Sequence, residues 1–66
     1  MSFLIKKFRK ELGWTQEKLA READVSRTII AGLESGAIKV TKSTTLLKLS
    51  KALNKPVSDL FFEEKV

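Results

Sequence analysis

Ile5, Phe8 and Leu12 recur at intervals of three and four residues with Lys6, Lys7 and Lys10 between them, which predicts an amphipathic helix that Gly13 ends. Thr15 is placed to cap the next helix through its hydroxyl. Trp14 and Leu19 stand in the positions of a hydrophobic staple, and Glu17 in the first turn suits the positive end of the helix dipole. This second helix runs to about Ala23 and buries Leu19, Ala20 and Ala23. Asp24 tolerates the left-handed conformation needed to turn the chain, Ser26 caps a third helix, and Val25 with Ile30 repeats the staple. Only about three residues then separate the two helices, so they must cross sharply, with Ala20 small enough for close approach. This is helix-turn-helix spacing.

In the third helix Ile29, Ile30 and Leu33 share one side, while Arg27, Thr28, Ala31, Gly32 and Ser35 fill the other before Gly36. Ser43 is placed to cap a fourth helix with Leu46, Leu49 and Leu53 as its buried stripe and Ser50 at a small-residue position; Asn54 and Pro56 stop it. Ser58 and Asp59 start a last short helix, and Val57, Leu60 and Phe61 join the leucines as a lid over the first three. The pattern predicts an all-α fold of five helices around one core. Residues 1–66 form one domain, with the helix-turn-helix at about 16–35 and a tail at about 62–66.

Composition narrows the chemistry. With no Cys and no His, disulfides, thiolate metal sites and the usual imidazole ligands and bases are absent, and no nucleophile and base set is evident. An enzyme, a metal site and a cofactor are therefore not expected. No stretch approaches the roughly 20 apolar residues that span a bilayer, and "MSFLIKKFRK" places its basic residues after the apolar ones, the reverse of a secretory signal. A cytoplasmic protein that does not enter the membrane is expected. Residues 1–55 carry 12 Lys or Arg against 5 acids, whereas residues 56–66 carry one Lys against 3 acids. A basic body suits a polyanion, and the acidic tail should face away from it.

The outer side of the third helix suggests which polyanion. A glycine inside a helix costs about 1 kcal/mol relative to alanine, so close approach to a large partner is expected to offset Gly32. A helix of about ten residues is roughly 15 Å long and fits a major groove about 12 Å wide, where Arg27 and Thr28 near its N-terminus reach base edges. On this reading Gly32→Glu leaves the fold intact and prevents binding.

Residues 5–61 resemble the Cro/CI-type, or XRE-like, helix-turn-helix family of bacterial and phage DNA-binding regulators. "TQEKLA" at 15–20 is similar to the family's opening of the second helix, and Ala20, Asp24, Val25, Ile30 and Leu33 fall on its helix-turn-helix pattern. "LESG" at 33–36 is similar to its recognition-helix ending. The chief departure is Asp24, where the family usually has Gly. The resemblance implies a compact, lambda-repressor-like domain in which Arg27, Thr28, Ala31, Gly32 and Ser35 read bases. Arg27 suits a guanine and Ala31 a thymine methyl. It also implies phosphate contacts from Gln16 and Ser26, and a structural pair of Arg9 with Glu34. Lys39 and Lys42, in the loop after the third helix, would flank the groove and hold the backbone.

The function expected is sequence-specific binding of double-stranded DNA by a small transcriptional regulator, most simply a repressor, with no ligand-sensing domain and no small-molecule ligand evident. The alternative is an antitoxin-like or protein-binding module that uses the aromatic, acidic "SDLFFEEKV". One helix reads only about four base pairs, so a two-fold homodimer on an inverted-repeat operator is expected, joined through Leu47, Leu60, Phe61 and Phe62.

Overall fold

Capping side chains open the second and third helices in the computed structural model, which describes residues 2–39 and 41–62, with 2, 61 and 62 described by backbone alone. Helix α1 (Ile5–Glu11) ends over Leu12 and Gly13, the latter at φ 72°, a value that favours glycine. Thr15 Oγ1 accepts the Lys18 N–H at 3.1 Å and opens α2 (Gln16–Ala23). Asp24 then takes the left-handed conformation, φ 54° and ψ 47°, as the turn requires. Ser26 Oγ accepts the Ile29 N–H at 3.2 Å and opens α3 (Arg27–Ser35), which Gly36 closes at φ 85°.

The second half departs from the sequence expectation in three places. Lys42, not Ser43, occupies the capping position of α4 (Ser43–Leu53), so Ser43 is the first helical residue and no side chain caps this end. Asn54 stops the helix in the left-handed conformation at φ 56°. The expected fifth helix is a single 3-10 turn, Val57–Leu60, so the described residues form four α-helices rather than five. After Pro56 the Asp59 N–H bonds back to the Pro56 carbonyl at 2.9 Å, the three-residue spacing of the tighter helix. Phe61 and Phe62 are extended instead of continuing it.

Those two residues form β2 (Phe61–Phe62), which pairs antiparallel with β1 (Ser2–Phe3): Ser2 lies opposite Phe62 and Phe3 opposite Phe61. The Leu4 N–H donates to the Leu60 carbonyl at 2.8 Å and extends this clasp between the two ends of the described chain. Strands this short carry no periodicity that a sequence could reveal.

Ile5, Leu19, Ile30, Leu33, Leu49 and Leu60 are fully buried, and Phe8, Ala23, Leu46 and Leu53 complete one core. Full burial of a large aliphatic side chain stabilises by about 1.5–3 kcal/mol, so α1, α3, α4 and the 3-10 turn hold α2 through this cluster. Burial also corrects the expected interface. Leu60 has no exposed surface and is a core residue, whereas Leu47, on the outer side of α4, is 53% exposed. The Phe61 and Phe62 side chains and residues 63–66 of the tail lie outside the described residues.

Candidate nucleic-acid interface

The turn at Asp24 aims the N-terminus of α3 outward beside that of α2, and the side chains at both starts are tied across the gap. Arg27, the first residue of α3, donates from Nη1 to Glu17 Oε1 at 3.2 Å, with the two side chains 61% and 72% exposed. So exposed a pair is worth little in stability. Thr28 is exposed beside it, and Ala31, one turn further along, is half-buried.

A buried network lies behind α2. Arg9 on α1 holds Glu34 on α3 with two hydrogen bonds, Nε to Oε2 at 2.7 Å and Nη2 to Oε1 at 2.9 Å, and donates a third from Nη1 to the Trp14 carbonyl at 2.6 Å. Gln16 donates from Nε2 to Glu34 Oε1 at 3.1 Å. Burial pushes the Glu34 carboxyl up, but hydrogen bonds from Arg9 and Gln16 and the charges of Arg9 and Lys6 outweigh it and hold it below its usual value. The hydrogen bonds to Glu34 hold the Arg9 guanidinium above its own. Arg9 and Glu34 thus form the pair that the family resemblance implied. Gln16 joins them, which the sequence did not suggest, and its amide is oriented by that bond while its second N–H and its oxygen have no partner among the described residues.

Gly32 is not the open groove-facing position expected of it. A Cβ there would lie 2.5 Å from Ile38 Cδ1 and 2.6 Å from Cγ1, and the Ile38 N–H donates to the Gly32 carbonyl at 3.0 Å. The close approach that Gly32 permits is made by the chain's own loop after α3, which folds back over the helix. Gly32→Glu therefore cannot be a neutral exposed change. Ser35 is also engaged: its hydroxyl donates to the Gly32 carbonyl and accepts the Ala37 N–H, both at 3.3 Å. Ser26 serves as the α3 cap and remains exposed, as do Lys39 and Lys42 in the loop between α3 and α4. Among the described residues no group of acidic side chains could hold a metal ion. None of their helices is long and apolar enough to cross a membrane.

A helix-turn-helix family model matches residues 5–60, from the first residue of α1 to the end of the 3-10 turn. The chain belongs to the XRE-like, Cro/CI-type helix-turn-helix family. No individual curated protein matches it. As a member of this family it is a small regulator that binds double-stranded DNA sequence-specifically. The XRE-like chain keeps the αL turn with Asp24 where the family usually has Gly, at a steric cost that Asp tolerates better than most residues. Two features of its surface were not legible from sequence. Glu17 read as a helix-dipole residue and proves to hold Arg27; Ile38 had no role in the sequence expectation and proves to cover Gly32. Neither contact has a periodic spacing.

Proposed function

We propose that this regulator is a repressor that inserts α3 into the major groove of an inverted-repeat operator as a homodimer. The observation that carries the reading is the pair of helix N-termini brought together by the αL turn: α3 starts with exposed Arg27 and Thr28, and α2 starts with an oriented Gln16 amide. Arg27 and Thr28 read base edges, with Ala31 against a thymine methyl; Gly32 supports the helix against Ile38 and is not a reader. Gln16, with the free N–H groups of the α2 start, meets a phosphate, and Ser26, Lys39 and Lys42 hold the backbone on either side. Ser35 stands at the edge of this surface.

One such helix reads too few base pairs to select a site in a genome, so two copies present their α3 helices about 34 Å apart. The exposure of Leu47, on the outer side of α4, supports a joining side there. Occupancy of a promoter by so small a dimer is enough to repress. Selection of bound duplexes from a random pool tests the proposal. It should yield an inverted repeat with a guanine in each half-site; recovery of no common sequence would refute it.

A further inference from the structure

Glu17 suits the positive end of the α2 dipole, yet it puts an acid at the start of the helix that the proposed interface turns toward phosphates. Among the described residues its carboxylate takes only Nη1 of Arg27, at 3.2 Å. The remaining donors of that guanidinium have no partner among the described residues, so one bidentate edge stays free to meet a guanine. A guanidinium held at one corner is also kept from swinging to the nearest phosphate. Phosphate contacts supply the sequence-independent part of DNA affinity, so a restraint of this kind lowers binding to every sequence except the one that suits the held geometry.

We propose that Glu17 is a specificity-determining residue that positions Arg27 for base reading and withholds it from the phosphate backbone. This rests on the reading of Arg27 as a base reader. The pair spans the turn, because Glu17 belongs to α2 and Arg27 to α3, so the αL geometry at Asp24 sets the distance between them. Its exposure means that it adds little to folding, and Glu17→Gln should fold normally.

The test compares binding to a duplex recovered by selection with binding to a random-sequence duplex, at several salt concentrations, for the parent, Glu17→Gln, Arg27→Ala and the double variant. In Glu17→Gln, binding to the random duplex should tighten and its log K against log salt should steepen by up to about one. The ratio of selected to random affinity should fall about two- to fivefold, the range expected of an exposed ion pair. In the Arg27→Ala background the same change should leave that ratio unaltered, because Glu17 then has nothing to hold. Simple removal of a negative charge near DNA would tighten both duplexes equally and leave the ratio constant in the parent background, and that result overturns the proposal. If Arg27→Ala itself leaves the ratio unchanged, the base-reading assignment falls first. If it lowers the ratio and Glu17→Gln does not, only the role of Glu17 falls.

Discussion

Gly32 on α3 lies beneath Ile38, so close that a Cβ on the glycine would stand 2.5 Å from Cδ1. Helix propensity alone favours Gly32→Ala by about 1 kcal/mol, and the overlap opposes it by about 1–3 kcal/mol because Cγ1, nearer the backbone, is also too close. The overlap should win: urea denaturation should show Gly32→Ala less stable than the parent. In an Ile38→Ala background, where both crowding atoms are gone, the same change should become neutral or stabilising. Equal effects in the two backgrounds would mean that Ile38 does not constrain the glycine.

The Arg9 and Glu34 side chains are 10% and 4% exposed, so removing either leaves a charge short of its partner in a small domain. Each single replacement by a neutral residue should destabilise by about 3 kcal/mol, and the double replacement by less than the two summed. The pH dependence follows from the same pair. The Glu34 carboxyl titrates lower in the folded chain than in the unfolded one, so its contribution is complete above the ordinary carboxylate value of about 4.3 and is lost as the pH falls through the folded value. Denaturation midpoints measured from pH 6 down to pH 2 should fall in the parent, and that part of the decline should be missing in Glu34→Gln.

Asp24 sits at φ 54° with no hydrogen bond to its side chain among the described residues, and its carboxylate is 3.7 Å from Lys48 Nζ with the Asp side chain 96% exposed. That exposed contact adds little, while a non-glycine residue in the left-handed region is strained by roughly 1 kcal/mol. Asp24→Gly should therefore raise the denaturation midpoint modestly, and Asp24→Val should lower it because a β-branched side chain fits this conformation poorly. A loss of stability in Asp24→Gly would show that the acid contributes more than its contacts suggest.

These particulars indicate what a sequence of this kind discloses. The caps at Thr15 and Ser26, the αL turn at Asp24 and the stripe from Ile5 to Leu53 were all legible, because each depends on chemistry within one helical turn or on helical periodicity. Contacts between residues far apart in the chain were not. Gln16 reaching Glu34 and Arg27 reaching Glu17 are set by how the helices cross, Leu4 bonding Leu60 by the pairing of the two chain ends, and Ile38 covering Gly32, six residues away, by how the loop folds back over α3. The fifth helix failed for a related reason. The turn residues at 58 and 59 are compatible with either kind of helix, and the pairing of Phe61 with Phe3, invisible locally, draws the chain out straight. The Arg9 and Glu34 pair was anticipated only through family resemblance.

Leu47 offers the most direct handle on the proposed dimer, since at 53% exposure it contributes little to the core of its own chain. Leu47→Glu should leave the denaturation midpoint within about 0.5 kcal/mol of the parent and weaken self-association in sedimentation. Affinity for an isolated half-site should be unchanged, while affinity for the inverted repeat drops. Equal affinity of Leu47→Glu and the parent for the inverted repeat would place the joining surface elsewhere.

The central claim is that Arg27 at the start of α3 reads a base in the major groove. The most direct test is a matrix of affinities, at one salt concentration, for the parent and Arg27→Ala on the selected duplex and on duplexes with each base pair of the half-site replaced in turn. One guanine should matter in the parent, at about 1–3 kcal/mol, and cease to matter in Arg27→Ala, while every other position keeps its effect. A uniform loss across all duplexes, with every base preference intact, would show that Arg27 holds only the phosphate backbone and that α3 does not read the site through it.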